Sequence, residues 1–267
     1  MLKDVTVGQY YPTNSIIHKL DPRTKINFTF IYIIALFFID NYWGYLFALV
    51  FLYGLIKVSK IPVRYILRGI KGLLFIIVFT VVVNLFMTPG TTLVKLGVLT
   101  ITREGLHFAV FMALRLIFLV TGTSLMTLTT SPIALTDGIE YLLKGIPLIK
   151  RYAHEISMMM TIALRFIPTL MEETDKIMKA QKARGADFES GNLFKRAKNL
   201  IPLLVPLFIG AFRRADELAV AMEARCYRGG DNRTRLNELK YTKNDSISYV
   251  ITIFMVACIF ATRFILL

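Results

Sequence analysis

The sequence is poor in the residues that form disulfides, bind metals or hold nucleotide phosphates. It contains 2 cysteines and 3 histidines among 267 residues, so we expect neither a disulfide framework nor a metal site. The dipeptide Gly-Lys is absent, which excludes a P-loop of the usual G-x-x-x-x-G-K form. There is no His-Glu-x-x-His motif and no nucleophile with an evident base. The sequence therefore shows no evident catalytic or nucleotide-binding motif, and we expect no cofactor.

Acidic residues are scarce as well, and apolar residues are abundant. The chain has 18 Asp and Glu against 32 Lys and Arg, which gives a formal net charge of +14. Hydrophobic residues make up 55% of the chain and the mean hydropathy is +0.57, above the values usual for a soluble domain. We attribute the positive charge to membrane topology and to contact with lipid headgroups, and we expect no binding of nucleic acid. The sequence predicts an integral protein of the lipid bilayer.

Five apolar stretches are candidate membrane spans, at residues 26–39, 42–56, 72–87, 106–128 and 247–267. The first two are short for a spanning helix, which needs roughly 20 residues. They could borrow flanking residues, tilt little, or form a hairpin around Asp40 and Asn41. The expected fold class is all-α, with three regions: a membrane region of four spans (1–128), a region of long helices (129–246) and a last span (247–267).

The distribution of basic residues predicts the orientation in the membrane. Lys and Arg accumulate before the first span and between the second and third spans, and they outnumber acidic residues in 129–246. Because basic residues accumulate in cytoplasmic loops, these three segments are expected inside the cell. The sequence thus predicts a multi-pass protein of the plasma membrane with a cytoplasmic N-terminus and an extracellular C-terminus.

The long segment between the fourth and fifth spans is predicted to contain three helices. The first begins at Ser131-Pro132 and ends near Gly145, and the second covers about 152–184 before Gly185. The third runs from about 193 to 225, and Gly229 and Gly230 end it after one more turn. Each of the last two exceeds 30 residues. Prolines remove a backbone donor and crowd the preceding turn, so we expect kinks in these helices at Pro168, Pro202 and Pro206.

A short polar pattern occurs twice in this region, at residues 175–184 and again 41 positions later at 216–225. The matching residues are Asp175, Ala180, Ala183 and Arg184 in the first copy, and Asp216, Ala221, Ala224 and Arg225 in the second. An arginine at a helix C-terminus gains about 0.3 to 1 kcal/mol from the helix dipole, which is one interpretation. The other is that two helix ends insert into acidic clefts on two related proteins, where arginine can bridge carboxylates in a bidentate way.

Several stretches, together with the repeat, are similar to those of a known family. They are Ala183-Arg184-Gly185, Ala224-Arg225-Cys226 and the segments 20–25, 99–106, 165–168 and 213–219. In these residues the chain resembles, over nearly its full length, the transmembrane T component of energy-coupling factor transporters. This family belongs to the vitamin and metal uptake branch of the ATP-binding-cassette superfamily. Two motifs centred on an arginine, at the ends of cytoplasmic coupling helices, characterise it. Cys226 stands where glycine is frequent in relatives.

The resemblance implies a scaffold that hydrolyses nothing itself. It would join two cytoplasmic ATPases, either identical or different, to a substrate-binding membrane S component. Arg184 and Arg225 would lodge in grooves of the two ATPases, and the coupling helices would carry their ATP-driven motion to the membrane. The apolar, methionine-rich helix faces are the expected contact with the S component. The nutrient would be selected by that component, and a module shared among several vitamins is favoured over a dedicated metal system.

We expect structural roles for three further residues, each with an alternative. Asp21 and Arg23 are interpreted as anchors at the inner membrane surface, with Asp21 pairing to a cytoplasmic helix as a second reading. Arg115 interrupts the fourth span, so it is expected either to contact a buried partner or backbone carbonyl, or to serve transport. A self-contained secondary transporter or channel is the main rival function, and a membrane-embedded enzyme is another. A secondary transporter would require repeated transmembrane halves and charges at the midplane of the bilayer.

Overall fold

The structure is a computed structural model that describes residues 10–96, 99–150, 152–188, 192–229 and 239–265. Within these ranges it contains nine helices and one two-stranded antiparallel sheet. The all-α fold class expected from the sequence is confirmed. Contacts divide the chain into two compact units: a larger unit formed by 9–138 and 238–267, and a smaller unit that contains 139–237.

The helices and strands are numbered in the order of the chain. In order they are α1 (Pro22–Phe37), α2 (Tyr42–Ser59), α3 (Val63–Met87), β1 (Thr92–Leu96), β2 (Leu99–Thr102), α4 (Arg103–Thr129), α5 (Pro132–Lys144), α6 (Ala153–Ala183), α7 (Leu193–Asn199), α8 (Ile201–Ala224) and α9 (Lys243–Ile265). The division between the two units falls inside α5, whose first turn is capped by the Ser131 hydroxyl. The extent of α5, Pro132–Lys144, confirms the helix predicted to begin at Ser131-Pro132 and to end near Gly145.

Four helices among the described residues are long and apolar enough to cross a bilayer. They are α2, α3, α4 and the Lys243–Thr262 part of α9. Helix α1 has 16 residues, which at 1.5 Å per residue gives about 24 Å, less than the roughly 30 Å of the hydrocarbon core. The fifth span therefore stays a prediction. The last two residues of the predicted 247–267 span lie outside the described residues.

Helix α3 begins nine residues earlier than the apolar pattern alone indicated. It starts at Val63, directly after Pro62, so Arg64, Arg68 and Lys71 belong to the helix and not to a loop. Long basic side chains can lay their methylene stems along apolar surface and keep the charge in the headgroup region. An apolar window therefore misses the first turns of such a helix.

The core of the larger unit lies among α1, α2, α4 and α9. It contains Tyr32, Leu36, Ala48, Phe111, Phe118, Met255 and Ile259. The Tyr32 hydroxyl donates to the carbonyl of Phe118 at 3.0 Å, and the Tyr45 hydroxyl donates to that of Phe111 at 3.3 Å. A hydroxyl buried in apolar surroundings without a partner is costly, so both tyrosines also fix α4 against the two N-terminal helices.

The segment between α3 and α4 forms a small antiparallel hairpin. Strands β1 and β2 pair from Thr92 opposite Thr102 to Leu96 opposite Leu99. The sequence here is rich in Thr, Val and Ile, which favour strands. The hairpin leads directly into α4, because the Thr102 hydroxyl accepts from the backbone N–H of Gly105 at 3.0 Å.

The smaller unit is built mainly from two long helices. Helix α6 has 31 residues and matches the predicted 152–184 helix closely. The single helix predicted for 193–225 is wrong, because the structure has α7 and the 24-residue α8 separated at Leu200. Pro202 lies in the first turn of α8, where its missing N–H has no helical partner to lose, so it begins a helix and does not kink one.

Two of the three predicted kink positions lie inside continuous helices. Pro168 is within α6 and Pro206 is within α8. Bending at these two prolines stays a prediction. Helix α8 ends at Ala224, one turn before the expected end, and Gly230 lies outside the described residues.

The close approach of α4 to α1 gives a test of the packing. A Cβ atom at Gly122 would overlap the ring of the fully buried Tyr32, whereas one at Gly54 on α2 would meet nothing within 4 Å. We expect Gly122→Ala to destabilise the protein by about 1 to 3 kcal/mol, the usual cost of overpacking. Thermal unfolding in detergent would measure this, with Gly54→Ala as the matched control. Equal melting temperatures for the two variants would contradict the packing described here.

Candidate functional site

The repeated sequence pattern ends α6 and α8 in the same backbone geometry. At the end of α6, the N–H of Gly185 donates to the carbonyl of Lys182 and that of Ala186 donates to Gln181, at 3.0 and 2.9 Å. Gly185 has a φ of +87°. These two bonds and the left-handed residue define a Schellman cap. Arg184 is the capping residue, the last before the chain turns away.

The end of α8 repeats this arrangement at the equivalent positions. The N–H of Cys226 donates to the carbonyl of Glu223 at 2.8 Å, and that of Tyr227 donates to Met222 at 3.0 Å. Cys226 takes the left-handed conformation with a φ of +57°, and Arg225 is the capping residue. We call residues 183–185 the first tip and residues 224–226 the second tip. The two copies of the pattern thus fold into two equivalent tips.

Both tips are open to solvent in this chain. All six of their residues are exposed: Ala183, Arg184, Gly185, Ala224, Arg225 and Cys226. Among the described residues, neither Arg184 nor Arg225 has a side-chain partner. The alanines beside them leave room for a close-fitting surface. Each tip therefore presents an exposed cation at a helix C-terminus, with small neighbours.

Helices α6 and α8 pack against each other in antiparallel directions. The Arg214 Nη2 donates to Glu173 Oε2 at 2.7 Å. Eight residues further along α6, the Gln181 Nε2 donates to the carbonyl of Pro202 at the start of α8, at 3.3 Å. As the residue numbers rise in α6 they fall in α8. The first and second tips therefore point in opposite directions away from the contact.

Asp21 and Arg23 lie in the larger unit, at the start of α1. The Asp21 carboxylate caps α1 by accepting from the N–H of Arg23 at 2.9 Å, and the Asp21 N–H donates to Asp245 Oδ1 at 2.8 Å. The Arg23 Nη2 donates to the carbonyl of Leu239 at 2.6 Å, and its guanidinium lies 4.8 Å from the centre of the Tyr241 ring. These contacts join the start of α1 to the start of α9.

Arg115 reaches the C-terminal end of α1. Its Nη2 donates to the carbonyl of Ile39 at 3.3 Å, and its guanidinium lies 5.4 Å from the centre of the Phe37 ring. A cation is stabilised beside the carbonyl end of a helix. This is the backbone-carbonyl contact that the sequence offered as one of two interpretations.

Among the residues that the structure describes, no group of three or more His, Cys, Asp or Glu side chains is arranged to hold a metal ion. The His154 Nδ1 lies 3.5 Å from Glu140 Oε1, and Lys144 Nζ lies 2.9 Å from the same oxygen. Glu140 therefore serves an ionic contact within the smaller unit.

Comparison with known proteins identifies the family. The family model for CbiQ, described as cobalt transport protein, matches residues 13–236. A protein of Thermosediminibacter oceani is 58% identical over 264 residues, which cover 99% of this chain and 100% of that protein. Its name is energy-coupling factor transporter transmembrane protein EcfT. The chain belongs to this family of transporter transmembrane components.

Further relatives have the same name. A protein of Clostridium kluyveri is 58% identical over 265 residues, covering 98% of each chain. One of Bacillus subtilis is 43% identical over 264 residues, covering 98% of this chain and 100% of that protein. The resemblance drawn from the sequence is confirmed, and the chain is a membrane component of an energy-coupling factor transporter.

Sequence reasoning missed the residues that hold the two long helices together. Glu173 and Arg214 form the ionic contact between α6 and α8, and Gly210 lies beside it. The signal was available, because Glu173 and Arg214 are 41 positions apart, the spacing of the repeat. The recognisable pattern begins at Asp175 and Asp216, two residues after Glu173 and Arg214.

The difference between Gly185 and Cys226 gives a test of the tip geometry. A residue with a side chain is strained in the left-handed conformation by about 1 kcal/mol or more, and glycine is not. We expect Cys226→Gly to stabilise the second tip and Gly185→Ala to destabilise the first, each by about 1 kcal/mol. Hydrogen exchange at the amides of Tyr227 and Ala186 would measure both effects. Changes of the same sign would contradict equivalent caps at the two helix ends.

Proposed function

We propose that the chain is the non-catalytic scaffold of an energy-coupling factor transporter. It joins two cytoplasmic ATPases to a substrate-binding membrane S component and transmits ATP-driven motion for micronutrient uptake. The observation that carries this proposal is the pair of equivalent, exposed, arginine-bearing helix tips. Two equivalent tips are suited to two related partners, and family membership supports ATPases as those partners.

The chemistry of each tip favours an acidic groove. A guanidinium forms two parallel hydrogen bonds with one carboxylate, and such charge-assisted pairs are stronger than neutral ones. Ala183 and Ala224 place only a methyl group next to each arginine. Each tip can therefore enter a narrow cleft, with Arg184 bound to one ATPase and Arg225 bound to the other.

The opposite directions of the two tips support a role in transmission. Because α6 and α8 run antiparallel, closure of an ATPase pair around the tips changes the angle between the two helices. The apolar N-terminal parts of the same helices then move with them. We propose that the S component contacts these apolar, methionine-rich faces and is tilted by this motion, which releases its nutrient into the cell.

The orientation follows from the same proposal. The tips must face the cytoplasm to meet ATPases, which agrees with the excess of Lys and Arg in 129–246 and the positive-inside rule. With five spans, the N-terminus is cytoplasmic and the C-terminus extracellular, in the plasma membrane. Selectivity belongs to the S component, and we propose a vitamin as the nutrient.

Replacing the arginines tests the assembly. We expect Arg184→Ala and Arg225→Ala each to weaken ATPase binding by about 2 to 5 kcal/mol, because each leaves a buried carboxylate on the partner without its cation. The double variant should lose both ATPases on co-purification in detergent. Arg213→Ala is the control, since Arg213 is an exposed arginine of α8 away from both tips. A double variant that kept both ATPases at wild-type stoichiometry would end the proposal.

The isolated chain should release no phosphate from ATP. The sequence contains no Gly-Lys pair for a P-loop, and a scaffold needs no nucleotide site of its own. Phosphate release would be measured on the chain purified after high-salt removal of its partners, with the assembled complex as the positive control. Turnover that persisted in the stripped chain and followed its concentration would contradict a non-catalytic role.

A further inference from the structure

Glu173 and Arg214 occupy equivalent positions of the two repeats. They are 41 residues apart, as are Arg184 and Arg225, and their side chains meet at 2.7 Å. In an antiparallel pair of related helices, equivalent positions face each other only at the local two-fold axis. We use the position of this ion pair as an approximate local two-fold axis between α6 and α8.

The two repeats differ in charge at this axis. The first has Glu172-Glu173 and the second has Arg213-Arg214 at the equivalent positions. Identical charged residues facing each other across an axis would repel, whereas opposite charges attract. The reversal of charge is thus the change that lets equivalent positions bind each other.

The packing at the axis is close. A Cβ atom at Gly210 would lie 2.9 Å from Glu173 Oε1, so the absence of a side chain there lets α8 approach the carboxylate. The side chains of Arg214 and Glu173 are 34% and 27% exposed. The pair is thus partly protected from water and screened less than one on an open surface.

We propose that the Glu173–Arg214 ion pair is the pivot about which α6 and α8 turn when the ATPases move the tips, an inference that rests on the proposed function. Arg184 and Arg225 each lie 11 residues beyond the pivot, which is about 16 Å of helix. The two arms are equal in length, and the exposed hydrogen bond from Gln181 to Pro202 in the first arm must open or shift when the helices turn. Glu173 and Arg214 are positioning residues, and they touch neither nucleotide nor nutrient.

The test compares two ion pairs that involve α8, one that joins it to α6 and one that lies within it. Glu173→Gln and Arg214→Gln remove the pivot, and the charge swap Glu173→Arg with Arg214→Glu restores it in reverse. Arg213→Gln and Glu217→Gln are the matched controls, because Arg213 and Glu217 form a 3.2 Å pair within α8, with side chains 81% and 65% exposed. The full complex, reconstituted in proteoliposomes, would be measured for nutrient taken up per ATP hydrolysed.

A second readout follows the helices directly. Nitroxide labels carried on non-canonical amino acids at Lys179 and Val220, both exposed and each six residues beyond the pivot, would report the distance between the arms. This measurement uses the complete chain in detergent and does not need the ATPases. It leaves both native cysteines and both tips unchanged.

We expect Glu173→Gln and Arg214→Gln to broaden the distance distribution and to lower uptake per ATP by up to about five-fold, the factor given by 1 kcal/mol. The charge swap should recover both, and the controls should match the wild type. An unchanged distribution would overturn the pivot. Broadening without loss of uptake per ATP would overturn it too, because the pair would then only stabilise the fold. A charge-swap variant that restored neither the distance distribution nor the uptake per ATP would also overturn the pivot.

Failure of the pivot can be distinguished from failure of the proposed function. Loss of the pivot leaves the ATPases bound, because the tips are intact, and alters only the arms and the coupling. Failure of the proposed function appears instead as ATPases retained by the Arg184→Ala, Arg225→Ala double variant.

Discussion

The last carbonyls of a helix have no partner within that helix, and the way in which the chain satisfies them fixes where it goes next. In α6 and α8 a left-handed residue closes the helix with two backbone bonds, and the capping residue before it is an arginine. The direction of both guanidinium-bearing ends depends on this closure. A helix that frayed or continued at either position would present its arginine at a different angle and depth.

In the larger unit, the backbone groups at helix ends are also hydrogen-bonded, but there the partners are polar side chains. Its apolar helices satisfy their own backbones, as a bilayer requires, and its polar side chains are used where helices begin or end. Asp21 caps α1 and its N–H binds Asp245, while Arg115 binds the carbonyl of Ile39 just after the same helix. Both ends of α1 are thus fixed by polar contacts. This secures a helix that is short for the bilayer.

The sequence predicted the helices whose signals are local. Apolar length revealed α2 and α4, and the glycine after Arg184 marked the end of α6 within one residue. The prediction from sequence failed where one residue is compatible with two structures. Pro202 can kink the middle of a helix or lie in the first turn of a new one. The end of α7 before Leu200 shows that it lies in a first turn. Basic residues hid the first turns of α3. The contact between Glu173 and Arg214 depends on the packing of two helices, which periodicity within one helix does not contain.

The opposite charges at equivalent positions of the two repeats have a consequence for how such an arrangement can exist. In a homodimer, a residue on the two-fold axis faces its own copy, so a charged one meets like charge. Covalent linkage of the two halves within one polypeptide removes that restriction, because each copy can mutate alone. The contact between α6 and α8 uses this freedom, because equivalent positions of the two repeats carry opposite charges and bind each other.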